Sequence, residues 1–163
     1  MKDFMLGFIV GAMVAMLLVG YVNNLPEDKP TETAAQEVIC TFDDMLDAIE
    51  WVESKGDAEA IGDNGKAVGS FQIWKIYVDD CNRILKINGE SKRVTYVDRY
   101  DPEESRKITA YVTSHYANAT WKDKPHTQMQ FIETAARSHH RPADRNNSKT
   151  DAYWAKVKKE MEK

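Results

Sequence analysis

Between Phe42 and Ser54 the apolar positions recur with a helical period: at roughly 100° per residue, Phe42, Met45, Leu46 and Ile49 share a stripe about 100° wide. Thr41 followed by Asp44 makes a weak capping box, and Lys55-Gly56 supplies a stop, so a helix is predicted over Phe42–Ser54. Asp43, Asp44 and Asp47 project to the polar side and Glu50 lies at the border. Glu53 does not follow its neighbours: it falls about 20° from Phe42, near the centre of the apolar stripe. Next comes Ala60–Gly69, "AIGDNGKAVG", with Asn64-Gly65 between two short segments, which predicts a hairpin closed by a two-residue turn with both central residues at positive φ.

Further along, Phe71, Trp74, Val78, Cys81 and Ile84-Leu85 predict a helix over Ser70–Lys86 that packs on the first, and Asn88-Gly89 marks a turn. Asp101-Pro102-Glu103-Glu104 combines an N-cap, a first-turn proline and an N3 acid and starts a helix to about His115. Its Ile108, Tyr111, Val112 and His115 form one face, on which a lone histidine reads as a satisfied core residue. Thr127-x-x-Gln130 starts a helix to about Arg137. Thr150 or Asp151 begins the last one, whose Tyr153, Trp154 and Val157 should dock while its lysines stay solvated. The pattern predicts a mainly α (α+β) fold, a helical bundle with one small β hairpin.

Ahead of this region, no charge appears from Phe4 to Val22, about the ~20 residues that cross a bilayer as a helix. Residues 1–23 are therefore expected to form a transmembrane or signal-anchor helix. Lys2 before it and Glu27 and Asp28 after it favour N-in, C-out, placing the domain in the periplasm or exterior, or exported if the segment is cleaved or released. Gly7, Gly11 and Ala15 form a small-residue face through which such helices can dimerise, or they merely dilute the hydrophobicity. This Gly- and Ala-rich span resembles the signal-anchor segments of some phage endolysins. Residues 24–37, polar with two prolines, read as a flexible linker, and the folded domain is expected over 38–163.

The formal charge is −4, with acids and bases interspersed, which leaves no basic footprint for nucleic acid. No Cys-x-x-Cys or His-x-x-x-His spacing appears, so neither a zinc site nor a cofactor is expected. The two cysteines, Cys40 and Cys81, would be permitted to pair in an exported domain; the alternative is two unpaired buried thiols.

A carboxylate on an apolar face should have a raised pKa, the property of a general acid working near neutral pH. The plain alternative is that the helix ends at Glu53 and the side chain emerges into solvent. Asp63, at the edge of the hairpin turn, is placed to project toward the helix end, although Asp is also ordinary turn chemistry. An acid in an apolar setting with a second carboxylate in a polar one is the arrangement of glycoside hydrolysis.

These residues carry a resemblance. "VES", then "GDNGKAVGSFQIWKIYVDDC", "AARSHHRP" and "DAYWAKVK" resemble the lysozyme superfamily over most of Val38–Lys158, in particular invertebrate-type lysozymes and their short bacterial and phage relatives. The resemblance implies a lysozyme-like fold and cleavage of the β-1,4 bond between N-acetylmuramic acid and N-acetylglucosamine in peptidoglycan glycan strands. Glu53 matches the catalytic glutamate and Asp63 the second acid. "VGSFQI" matches the segment lining the sugar cleft, which makes Ser70, Gln72 and Ile73 substrate-binding candidates, while Trp74 and Tyr77 are either sugar-stacking aromatics or core. Where relatives carry His-Asn-Gly-Gly-Pro, this chain reads His139-His140-Arg141-Pro142, and a turn there that needed positive φ would be strained. His139 is a substrate-contact candidate, with a solvated helix end as its alternative. The many disulfides of animal members are absent, leaving at most Cys40–Cys81. Lytic transglycosylases share the Glu-Ser and Gln elements and need no second acid; a lytic transglycosylase using Glu53 alone and a non-catalytic, membrane-anchored wall-binding protein are the competing expectations.

Overall fold

In the computed structural model, residues 40–163 are described; the expected membrane helix over 1–23, its dimerisation face and the linker over 24–37 lie outside them. Five helices are described: α1 Phe42–Ser54, α2 Lys75–Ile87, α3 Pro102–Trp121, α4 Gln128–His140 and α5 Asp151–Met161. One two-stranded antiparallel sheet, β1 Ile61–Gly62 with β2 Ala67–Val68, stands between α1 and α2. The fold is mainly α with a small hairpin. Among the described residues no helix is long and apolar enough to cross a membrane.

α1 begins where its capping box says it should. The Thr41 N–H donates to Asp44 Oδ2 at 2.7 Å and the Asp44 N–H to Thr41 Oγ1 at 3.1 Å, satisfying two of the helix's orphan donors. The Thr41 N–H and the Thr41 hydroxyl, both donating to the carboxylate, hold Asp44 below its ordinary pKa. At the other end Lys55 itself turns left-handed, φ 61°, and its N–H caps the Trp51 carbonyl. The two ends fix the helical phase, so Met45, Leu46 and Ile49 are buried. They meet Val78, Ile84 and Leu85 of α2, Ile108 and Val112 of α3, Ile132 of α4, Trp154 and Val157 of α5, and Phe71 in one core. α1 packs chiefly along α5 and α3 along α4.

Several local expectations need correction. The register Ile61↔Val68 and Gly62↔Ala67 leaves a four-residue connection, Asp63–Lys66, rather than a two-residue turn. Asn64 and Gly65 have positive φ as expected, but Asp63 joins them at φ 46°. α2 begins at Lys75, not Ser70, because Ser70–Trp74 is a tight return in which Gln72 is left-handed, φ 49°, and Ile73 pairs back with Val68. α3 runs six residues past His115 to Trp121, and on it Tyr111 is exposed rather than core. Cys40 and Cys81 are both free, buried thiols. Cys81 lies in the core on α2, and Cys40 sits just ahead of α1 with its carbonyl accepting from the Gln128 side chain of α4.

The hairpin is fastened from behind. Gly69 has φ 77°, and a Cβ there would stand 1.8 Å from the Arg99 carbonyl oxygen. The Arg99 side chain, 5% exposed, reaches back under the hairpin, donating to the carbonyls of Ile73 at 3.0 Å and Lys66 at 3.4 Å, and to Tyr96 at 2.8 Å. Gly89, at the same φ of 77°, has nothing within 4 Å of its would-be Cβ. Gly89→Ala should therefore cost only about 1–2 kcal/mol of left-handed strain. Gly69→Ala adds a backbone overlap and should cost about 3 kcal/mol or more. Urea unfolding of the two variants checks the difference.

Candidate active site

Glu53 closes α1, one residue before a serine that ties this end down: the Ser54 hydroxyl donates to the Ser70 carbonyl at 2.8 Å. That bond joins the helix terminus to the return segment behind the hairpin. Glu53 and Asp63 consequently line the same cleft, of about 1060 Å³. Other parts of its lining are Gln72, Trp74 and Tyr77, His139 and His140 from the end of α4, and the turn Arg141–Arg145.

The Glu53 side chain is 21% exposed. Burial raises its pKa above the ordinary glutamate value, the hydroxyl of Tyr153 pulls the other way, the negative charge of Asp63 raises it further, and Lys156 lowers it. Removal from water dominates because a carboxylate loses more solvation than a carboxylic acid does. The Tyr153 hydroxyl is itself buried and, although it faces Glu53, it falls short of hydrogen-bond geometry with any protein group. The flat stacking of the His140 imidazole on the Tyr153 ring, 4.6 Å between centroids and 9° between planes, holds that ring in place.

Asp63 occupies a different environment. It is exposed, and its Oδ2 accepts from the Trp74 indole N–H at 3.2 Å, with the Lys66 ammonium 5.2 Å from the Trp74 ring centre. Trp74 is thus an aromatic at the cleft, 39% exposed, rather than core. Tyr77 is half-buried and uses its hydroxyl inside the protein.

The other sequence candidates divide. Gln72 lines the cleft, but its amide N–H groups are spent on the Gly69 carbonyl at 2.9 Å and the Ala60 carbonyl at 3.2 Å, so it braces the hairpin. Its Oε1 lies against Gly62, where a Cβ would stand 2.3 Å away, so a larger residue there would displace the Gln72 amide from its two carbonyls. Ile73 reaches the lining with little exposed surface. Ser70 is a correction: it is 1% exposed, lies away from the cleft lining, and its hydroxyl has no hydrogen-bond partner, because the return segment turns it into the core.

His139 is also corrected, in the other direction. It is no solvated helix end: α4 continues through His140, so His139 keeps the inward phase of Ala135 and Ala136 and is 8% exposed. Its Nε2 lies 3.7 Å from Glu53 Oε1. Burial pushes its pKa down to about 4, so at neutral pH the ring is uncharged and this contact is not an ion pair. The turn that follows is unstrained. Arg141 is extended at φ −149°, Pro142 opens a short 3-10 turn, and no residue there takes positive φ, so the lost glycines are not needed.

Sequence reasoning passed over Tyr153 and Arg99 as functional or site-building groups. Tyr153 sits at core spacing, and its one signal was a hydroxyl on a docking face that must find something polar inside. Arg99 carries no local signal at all. Among the described residues no group of three His, Cys, Asp or Glu side chains could hold a metal ion.

A raised acid pKa has a consequence for stability. The protonated form is the one the fold favours, so Glu53's contribution is fully present below its ordinary value of 4.5 and is lost as pH rises through the raised value. Glu53→Gln is neutral at every pH. It should therefore melt at a higher temperature than the parent at pH 7, with the gap closing below pH 4.5, as measured by thermal unfolding across pH. In comparison with known proteins, no family model, no curated protein and no solved structure matches this chain.

Proposed function

We infer that the chain is a lysozyme-like glycosidase that hydrolyses the β-1,4 bond between N-acetylmuramic acid and N-acetylglucosamine in peptidoglycan. The observation that carries the reading is the pair of unlike carboxyl groups in one cleft. Glu53 is largely withdrawn from water with its pKa raised, and Asp63 is exposed on the hairpin beside an aromatic. The likeness of "VES", "GDNGKAVGSFQI" and "AARSHHRP" to the lysozyme superfamily supplies the substrate class.

On this reading Glu53, protonated, gives its proton to the glycosidic oxygen as the C–O bond breaks. The sugar left behind develops oxocarbenium character, and the Asp63 carboxylate stabilises that charge or orients the attacking water. Trp74, exposed at the cleft, offers a flat face for a sugar ring. The uncharged run over 4–22, outside the described residues, would tether the domain to a membrane with its N-terminus inside.

A second reading is favoured by one feature of Asp63, its exposure and its bond to Trp74, which leave it less committed than Glu53. A lytic transglycosylase would use Glu53 alone and release anhydro-sugar ends.

Glu53→Gln should lower peptidoglycan solubilisation by about 10²–10⁴-fold, the usual worth of a general acid. Undiminished lysis by that variant would refute both enzymatic readings. Asp63→Asn separates them: a comparable loss, with reducing-end muropeptides by mass spectrometry, fits hydrolysis, whereas tolerance with anhydro ends fits transglycosylation. Binding to sacculi without release of fragments by the parent protein would point to a wall-binding module.

A further inference from the structure

The cleft has a second stretch of wall that the acid pair does not use, formed by Asp80 and Arg83 of α2, Tyr116 of α3 and Arg145 beyond the short turn. Asp80 is spent there. Arg83 Nε and Nη2 donate to its Oδ1 at 2.8 and 2.7 Å, and the Tyr116 hydroxyl donates to its Oδ2 at 2.8 Å. That leaves the face of the Tyr116 ring, over which the half-buried Arg145 guanidinium lies 5.2 Å from the centre. Arg145 Nε donates to the Thr120 hydroxyl at 2.9 Å and its Nη1 to the Pro142 carbonyl at 2.6 Å. The guanidinium is thereby held in one orientation from three sides.

None of those three contacts neutralises it. Among the described residues Arg83, Arg137 and Arg141 each pair with a carboxylate, and Arg145 does not. Asp144, its neighbour in the chain, is turned to Asn147, Arg141 and Lys149, and Asp79 of the cleft wall accepts from the Tyr96 hydroxyl at 2.8 Å. A guanidinium has five N–H groups; two are occupied, so three remain on a planar fork that matches a carboxylate. Tying the turn to α3 accounts for the two bonds but not for the charge left over. Keeping that charge partly out of water without a partner costs solvation, whereas a fork already fixed loses little entropy when an anion docks. The field also reaches α3: burial lowers the pKa of His115, Arg83 and Arg145 lower it further, and Asp80 opposes them.

We propose that Arg145 anchors a carboxylate-binding subsite in this cleft, and that its ligand is the peptide stem carried by muramic acid. The identity of the ligand rests on the glycosidase reading above, whereas the subsite rests on the arginine. On that reading each muramic acid of the strand bears a lactyl-linked peptide, which supplies carboxylates a few bonds from the sugar. Both stretches of wall belong to one cavity of about 1060 Å³, at the top of the about 300–1,000 Å³ range of pockets that hold a single small ligand. Glu53 would act on the glycosidic oxygen while Arg145 takes the stem. The consequence is a preference for peptide-bearing strands over bare glycan.

Binding can be read apart from cleavage. An N-acetylmuramyl peptide ending in a free carboxylate, and the same peptide amidated, contain no bond between two sugars and cannot be turned over. Titrated into the full chain and followed by NMR, the acid should bind about tenfold tighter than the amide or more, and should shift the Arg145 Nε–H resonance. Its advantage should shrink as salt is added. In Arg145→Gln the two ligands should bind alike, and Arg145→Lys, which keeps the charge without the fork, should recover part of the difference. Equal affinities in the parent, or an undiminished preference in a folded Arg145→Gln, would overturn the subsite. If Arg145→Gln does not fold, the Nε–H resonance decides, and its failure to respond to the acid overturns the subsite as well. Where lysis is present, kcat/KM should be lower on strands stripped of peptide than on intact ones, and Arg145→Gln should narrow that ratio. Equal rates on both strands would refute the stem as ligand. Acid-selective binding without any lysis would leave the carboxylate subsite standing and sink the glycosidase reading.

Discussion

A carboxyl group taken most of the way out of water at the end of a helix is the constraint around which this domain is arranged. Its ionised form is disfavoured there, and an entirely apolar setting would leave it nothing to hold it in place. The fold resolves this with polar groups from three other helices. Tyr153 of α5 and His139 of α4 face the carboxyl directly, and Tyr77 of α2 backs His139. Because each comes from a different element, the site exists only once α1, α2, α4 and α5 have packed. The core formed by Met45, Ile49, Leu85, Ile132 and Val157 is therefore what sets distances around Glu53, even though none of those side chains has any chemistry to offer.

The second carboxylate depends on stiffness of another kind. Two-residue strands contribute little by themselves, so the hairpin that carries Asp63 is held from outside. Arg99 grips it through backbone carbonyls, Gln72 ties both of its ends, and the Arg99 carbonyl fills the space beside Gly69. Three successive left-handed residues, Asp63, Asn64 and Gly65, then give the loop a shape with few alternatives. A buried guanidinium satisfied by carbonyls alone is costly to assemble, and its use here fits a hairpin whose position matters more than its own strand pairing.

Much of this was legible in the chain because it rests on local physics. The capping box at Thr41, the Asp101-Pro102 start and the capping box at Thr127 act within one turn of helix, and all three helices begin there. Glu53's inward phase follows from its spacing to Phe42, since the helix keeps its period to the last turn. The failures are long-range or hinge on one torsion. Gln72's left-handed backbone delays α2 by five residues, and nothing in "SFQIW" announces it. The same return buries Ser70 while a motif comparison would place it in the cleft. The pattern ends α4 near Arg137, which leaves His139 as either a substrate contact or a solvated helix end, whereas the helix runs to His140 and carries the ring inside. Tyr153 and Arg99 owe their roles to partners far away in sequence, which periodicity cannot supply.

The two thiols add a last consequence. Cys40 and Cys81 are buried and unlinked, and burial together with Asp80 lifts the Cys81 thiol to about 11, far from the reactive thiolate range. The domain thus has no covalent cross-link to gain or lose. It can complete its fold under reducing or oxidising conditions alike, without waiting for an oxidase, and a reductant should leave its architecture untouched.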